Sequence, residues 1–131
     1  MRWLIIALVL LVPTVYGLSR ADATTIVLTD VVENSPNKDT LAVYRWPAPV
    51  FTAKETHRET FTFEDPVWYF WIDDEPGRQF AHNNRYVFVH QDGFVRVAGG
   101  NWQPENLDNA ELVYVGQPRW WERVFMFLGL L

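Results

Sequence analysis

The sequence predicts a mainly β domain: an antiparallel sheet, a small sandwich or an open barrel, with an α+β arrangement as the variant. Two observations predict this fold class. Apolar and polar residues alternate with period two over most of residues 24–117, where helical periodicity is scarce. An Asp92-Gly93 pair separates two such runs, which is typical of a β-hairpin. Seven tryptophans provide large side chains for the core of a chain that has no cysteine.

The first 23 residues have the pattern of a secretory signal. Arg2 precedes an apolar run, and small residues then form two candidate cleavage sites, Val15-Tyr16-Gly17 and Ala21-Asp22-Ala23. As a helix, Trp3–Leu18 would extend roughly 24 Å, which is short of the roughly 30 Å hydrocarbon core. We therefore predict export, with a cleaved leader favoured over a short uncleaved anchor. The predicted location is extracellular, periplasmic or on the outer face of the cytoplasmic membrane.

We predict three segments: a leader or anchor over residues 1–23, a β-rich domain over 24–117, and an apolar segment over 118–131.

Net charge and cysteine content narrow the classes of partner and of chemistry. The net charge of −5 argues against nucleic acid as a partner. The absence of cysteine excludes disulfides and thiol chemistry.

Five segments before and after the hairpin are predicted to be strands. Prolines separate several of them, since proline removes a backbone donor. Pro66 is expected to break the chain between the third and fourth strands, and the fourth has large side chains on both faces, as central strands do. The segments are Thr24–Val32, Leu41–Trp46, Glu59–Phe63, Val67–Ile72 and Glu111–Val115.

The hairpin around Asp92-Gly93 is predicted to contain a two-residue type I′ turn, in which both turn residues have positive φ. That turn makes Gln91 oppose Phe94 and fixes the register of the whole pair. One face then carries Tyr86, Phe88, His90, Val95 and Val97, and we expect it to face the core. The other face carries Val89, Gln91, Phe94 and Arg96.

The last 14 residues, 118–131, form the one plausible helix, with Pro118 near its first turn. Such an apolar segment either docks on the sheet or stays exposed for a partner protein or a membrane interface. We place the partner-binding or membrane-binding residues here, with aromatic side chains in the centre and arginines at the edge. These residues are Trp120, Trp121, Phe125, Phe127, Arg119 and Arg123.

Residues suited to catalysis or metal binding are few. His57, His82 and His90 lack the spacing of metal ligands, so we expect structural roles and no metal. Asp73-Asp74-Glu75 could serve a small secreted enzyme through Asp73 and Asp74, but an acidic solvated turn explains it more simply. No nucleophile or phosphate-binding motif occurs in the sequence. We predict no enzymatic activity and no cofactor.

Carbohydrate binding is the alternative function, since surface tryptophans can stack on sugar rings. The available residues are Trp46, Trp68, Trp71 and Trp102. Trp68 and Trp71 project from opposite faces of a predicted central strand, so at least one should be buried. Trp46 and Trp102 are therefore the predicted glycan contacts.

One part of the chain resembles a known family. The segments that carry this resemblance are Trp68–Asp73, Phe80–His82, Arg85–Val89 and Asp92–Val95. They are similar to the strand and hairpin half of PepSY-type domains, which occur in secreted peptidase propeptides and envelope proteins. The resemblance implies a non-catalytic domain, without a cofactor, that regulates or docks onto an envelope partner. We predict a secreted or membrane-tethered envelope domain that acts by protein–protein contact, as an accessory subunit or an inhibitor-like module.

Overall fold

The computed structural model describes residues 17–116, which form one open antiparallel sheet of six strands with a helical segment at its N-terminal side. The predicted mainly β class is confirmed, with 42% strand and 16% helix. An α-helix, α1, is followed by a π-helical turn, and a short 3₁₀ turn precedes the last strand. The bounds are α1 Arg20–Ile26, π-helical turn Val27–Val32, β1 Ala42–Arg45, β2 Val50–Lys54, β3 Thr60–Asp73, β4 Asn84–Val89, β5 Val95–Gly100, 3₁₀ turn Leu107–Asn109 and β6 Glu111–Val115.

The strand order is β5-β4-β3-β1-β6, and β2 pairs with the first half of β3. The second half of β3 lies between β4 and β1, so the prediction that Val67–Ile72 is central is confirmed. Asp73 pairs with Asn84, which in turn pairs with Gly100. We call the end of the sheet that carries these three residues the groove end, and the opposite end, with the β4–β5 turn, the hairpin end.

The prediction of a first strand over Thr24–Val32 is wrong, because this segment is helical. The β-branched residues suggested a strand, but Thr24 and Thr25 donate hydroxyl hydrogen bonds to carbonyls four residues earlier, which the helix accommodates. Ser19 caps α1 by accepting from the Asp22 amide at 3.1 Å. The predicted boundary between residues 23 and 24 therefore falls inside α1.

The prediction of a break at Pro66 is also wrong, since β3 continues through it. The pairing of β2 with β3 shifts between Val50 and Thr52, which leaves residues 63–66 of β3 in a bulge. Proline fits there because no ladder hydrogen bond is required of its nitrogen. The part of β3 that precedes the bulge bends over the sheet. There the centroids of the Phe61 and Phe88 rings are 5.0 Å apart.

The hairpin is confirmed, but its predicted turn and register are wrong by one residue. Of the two predicted turn residues, Gly93 has a positive φ (90°) and Asp92 does not, and the His90 amide donates to the Phe94 carbonyl, so the loop has three residues. Val89 therefore opposes Val95, and Phe88 opposes Arg96. This register moves Val95 and Val97 to the face of Val87 and Val89, away from Tyr86 and Phe88.

The sheet is buried on both faces by two separate hydrophobic clusters. The helix face packs mainly aliphatic side chains under α1 and the π-helical turn, including Val27, Val43, Phe70, Ile72, Val87 and Val89. The aromatic face packs Trp46, Phe61, Tyr69, Trp71, Tyr86 and Phe88 under β2 and the bent half of β3. Because successive residues of a strand point to opposite faces, the apolar run of β3 supplies both clusters.

The second and last predicted strands are confirmed as β1 and β6. Proline residues 47 and 49 separate β1 from β2, and β2 itself was not predicted.

Candidate functional site

A groove of about 230 Å³ opens at the groove end of the sheet. Three segments form it: the β2–β3 turn, the loop between β3 and β4, and the loop that follows β5. We call it the aromatic groove because two exposed aromatic side chains, Phe80 and Trp102, line it. Its lining residues are Thr56, His57, Arg78, Gln79, Phe80, Ala81, His82, Asn101, Trp102 and Gln103.

The backbone that carries Trp102 is fixed by a buried polar network. The Glu55 carboxylate, only 4% exposed, accepts from the amides of Asn101 and Trp102 at 3.3 and 3.2 Å. The Trp102 carbonyl accepts from the Tyr86 hydroxyl and from the Asn84 side-chain amide. The N–H and the C=O of Trp102 are therefore both hydrogen-bonded to buried side chains, while the residue itself is left 40% exposed.

Two backbone hydrogen bonds connect this loop to the other walls of the groove. The Thr56 amide donates to the Gln103 carbonyl at 3.1 Å, and the His82 amide donates to the Asn101 carbonyl at 2.9 Å. All three segments of the groove are thus joined through the loop after β5. A site held in this way loses little conformational entropy when it binds.

The phenols beneath the groove are held in their neutral form. Burial raises the pKa of Tyr86, and the nearby Glu55 charge raises it further. Burial also raises the pKa of Tyr69, with smaller contributions from Tyr86 and Glu55. Tyr86 donates to the Trp102 carbonyl, whereas the buried Tyr69 hydroxyl has no partner among the described residues. Only one of the two buried hydroxyls therefore supports the groove directly.

The His82 ring forms one wall of the groove between two acceptors. Its Nδ1 lies 2.7 Å from the Phe80 carbonyl oxygen, and its Nε2 lies 2.8 Å from Asp73 Oδ1. Since both neighbours accept, both nitrogens are satisfied only in the imidazolium form. Burial opposes this form, but the hydrogen bonds to Phe80 and Asp73 outweigh it and raise the pKa of His82 above its ordinary value.

The opposite wall contains an unusual backbone conformation. His57 has a φ of 68°, in the left-handed region that few residues other than glycine adopt. Its ring meets Trp102 edge-on, with 6.0 Å between the ring centroids. Across the groove, Phe80 is 84% exposed. The groove therefore presents two large aromatic surfaces beside hydrogen-bonding side chains, an arrangement suited to binding.

The acidic turn that could have served an enzyme is occupied by structural contacts. Asp74 accepts from two nitrogens of Arg85, at 2.7 and 3.1 Å, and from Asn37. Asp73 accepts from His82 and from the Glu75 amide. Within residues 17–116, no three His, Cys, Asp or Glu side chains are arranged to hold a metal ion.

The four tryptophans proposed for sugar binding lie in different environments. Trp68 and Trp71 are both buried, on opposite faces of β3, as the pattern predicted for at least one of them. The prediction that Trp46 is a surface contact is wrong, because it is buried and stacks on Tyr69 at 4.0 Å. Of these four, only Trp102 is exposed.

The predicted partner-binding residues of the tail lie outside the described residues: Arg119, Trp120, Trp121, Arg123, Phe125 and Phe127. The last described residue, Gly116, donates its amide to the Leu41 carbonyl at 2.8 Å. Leu41 immediately precedes Ala42, which pairs with Asp73. The described part of the chain therefore ends at the groove end of the sheet.

Models of known protein families, curated proteins and solved structures give no match to this chain. Over residues 17–116, no helix has the length and hydropathy needed to cross a membrane.

Proposed function

We propose that this chain is an exported, non-catalytic domain that contacts an envelope partner protein through the aromatic groove. The observation that carries the proposal is the contrast at Trp102, whose backbone is held by buried groups while its indole faces solvent. Tryptophan on a rigid support is typical of residues that dominate binding energy at protein interfaces. The resemblance to PepSY-type domains, which stays a prediction, implies the same kind of role.

The charge of the groove favours an acidic segment of the partner. Among the described residues, the lining includes the basic side chains of Arg78, His57 and His82 and no Asp or Glu, although the chain as a whole carries a net charge of −5. Carboxylates beside the lining pair with two of these cations, Glu75 with Arg78 at 2.9 Å and Asp73 with His82 at 2.8 Å. The raised pKa of His82 adds positive character as the pH falls. An acidic peptide segment with an apolar side chain would match both the cations and the exposed aromatic rings.

The N-terminal side of the domain lies at the other end of the sheet. A Cβ added to Gly17 would come within 1.8 Å of Gln91 in the hairpin turn, so the two residues are adjacent. The described part of the chain consequently begins at the hairpin end, opposite the aromatic groove. The last described residue, Gly116, lies at the groove end.

The test measures binding of three short peptides that match in apolar content and carry net negative, zero or positive charge. We expect the acidic peptide to bind best and Trp102→Ala to weaken its binding about tenfold or more. Phe94→Ala, at the hairpin end, is the matched control and should bind normally, because Phe94 is exposed but far from the groove. Equal binding of all three peptides, or equal losses in both variants, would contradict the proposal.

Glycan binding is the second candidate, favoured by the amide side chains of Asn101, Gln103 and Gln79 around Trp102. Such groups donate and accept hydrogen bonds as sugar hydroxyls require. Screening the same variants on a glycan array separates the two functions. Glycan retention that Trp102→Ala abolishes, with no peptide preference, would favour the sugar-binding alternative.

A further inference from the structure

We infer, on the basis of the proposed export, that the leader is removed by hydrolysis of the Gly17–Leu18 peptide bond, so that Leu18 is the first residue of the mature protein. Water adds across this bond and leaves a carboxylate on Gly17 and an α-ammonium group on Leu18. The sequence offers a second site after Ala23 with the same small-residue pattern. The structure distinguishes the two sites.

Cleavage after Ala23 would remove groups on which the fold depends. Ala23 is fully buried in the cluster on the helix face, and it lies in the middle of α1. Cleavage there also removes Ser19, whose hydroxyl oxygen caps α1. The Arg20 carbonyl that accepts from the Thr24 hydroxyl would be lost too. The remaining helix would begin at Thr24, without a cap and without its first turn.

Leu18, two residues before the start of α1, forms a specific contact with the core. The buried indole of Trp68 donates from Nε1 to the Leu18 carbonyl at 2.8 Å. Leu18 also packs against the cluster on the helix face. A chain that begins at Thr24 would leave the Trp68 donor without this acceptor, whereas a chain that begins at Leu18 retains it.

Cleavage after Gly17 preserves all of these contacts. Val15-Tyr16-Gly17 has small or apolar residues at the first and third positions before the bond, as signal peptidase requires. Glycine contributes no side chain to the folded domain, and its neighbour Gln91 leaves no room for one without moving. The Gly17–Leu18 bond is therefore a suitable cleavage site that also precedes every contact described above.

The experiment exports the full chain from a bacterial host and measures the intact mass of the purified protein. We expect the mass of residues 18–131. A folded product with the mass of residues 24–131, or of the whole chain, would overturn the inference.

Two matched variants place a lysine three positions before each cleavage site. Val15→Lys should block processing and leave the full-length mass. Ala21→Lys should be processed normally, since Ala21 is exposed on α1 and lies beyond the proposed bond. The reverse pattern would assign the cleavage to Ala23. Either result leaves the proposal on the aromatic groove unaffected, because the groove lies at the other end of the sheet.

Discussion

The two faces of the central sheet are built from different chemistry, although alternate residues of the same strands supply both. The centre of the helix face is packed with side chains such as Val43, Phe70, Ile72 and Val87, which have no polar atoms. The aromatic face buries two phenols and two indoles and is continuous with the Glu55 network. We conclude that the helix face mainly stabilises the fold, whereas the aromatic face also positions the aromatic groove.

The largest expected effect is loss of stability from the helix face. Phe70→Ala should lower the free energy of unfolding by roughly 3–5 kcal/mol, because Phe70 is fully buried in the central strand. Urea denaturation measures this change. Phe94→Ala, which truncates an exposed ring, should change it by less than about 0.5 kcal/mol. Similar effects of the two substitutions would contradict the assignment of the core.

Removal of the Glu55 side chain should affect both stability and the aromatic groove. Glu55→Ala leaves the amides of Asn101 and Trp102 without their acceptor, which should cost roughly 1–3 kcal/mol. It should also weaken binding of the acidic peptide. Glu55→Gln retains an oxygen acceptor and should recover most of both losses. If Glu55→Ala lowered stability but left peptide binding intact, Glu55 would have no role in positioning the groove.

The two buried tyrosines give a matched pair on one face of the sheet. Tyr86→Phe removes a donor from the Trp102 carbonyl and should cost about 1 kcal/mol. Tyr69→Phe removes a buried hydroxyl that has no partner among the described residues, so it should be neutral or slightly stabilising. Denaturation of both variants in parallel tests the difference. A larger loss for Tyr69→Phe would show that its hydroxyl has a partner.

The smallest expected effect is a pH dependence at His82. Its pKa is raised in the folded protein, so its contribution to stability is fully present below the unfolded value of about 6.5 and is lost as the pH rises through the folded value. The stability difference between the wild type and His82→Gln should follow that course. Asp73→Asn should lower the pKa of His82, which an NMR titration of the ring can measure. An unchanged titration would contradict the role of the Asp73 contact.

The sequence predicted the β class and the central strand because these depend on strong local patterns. Large apolar residues on both faces of Val67–Ile72 required burial on both sides. The helical segment was missed because its β-branched residues favour strands, and only packing against the sheet reverses that preference. The predicted hairpin register was wrong because it assumed a positive φ at Asp92. Asp-Gly fits both a two-residue and a three-residue loop, and the sequence does not distinguish them.

The supporting residues of the aromatic groove could not be predicted from local pattern. Glu55 lies in a polar run between two strands, where an acidic residue usually faces water. Its burial depends on the loop after β5, nearly fifty residues later in the chain. The one available signal was Gly99-Gly100 followed by Asn101 and Trp102, which marks a loop that exposes an aromatic residue. Gly100 leaves no space for a side chain beside Tyr86 and Asn84, and that contact appears only in the folded protein.

Amide hydrogen exchange at Asn101 and Trp102 tests the central claim most directly, namely that a buried network holds the aromatic groove. In the wild type both amides should be protected, since each donates to Glu55. In Glu55→Ala they should exchange at least about tenfold faster, while the amides of Val87 and Val89 on β4 keep their protection. Unprotected amides in the wild type, or equal acceleration throughout the sheet, would contradict the account.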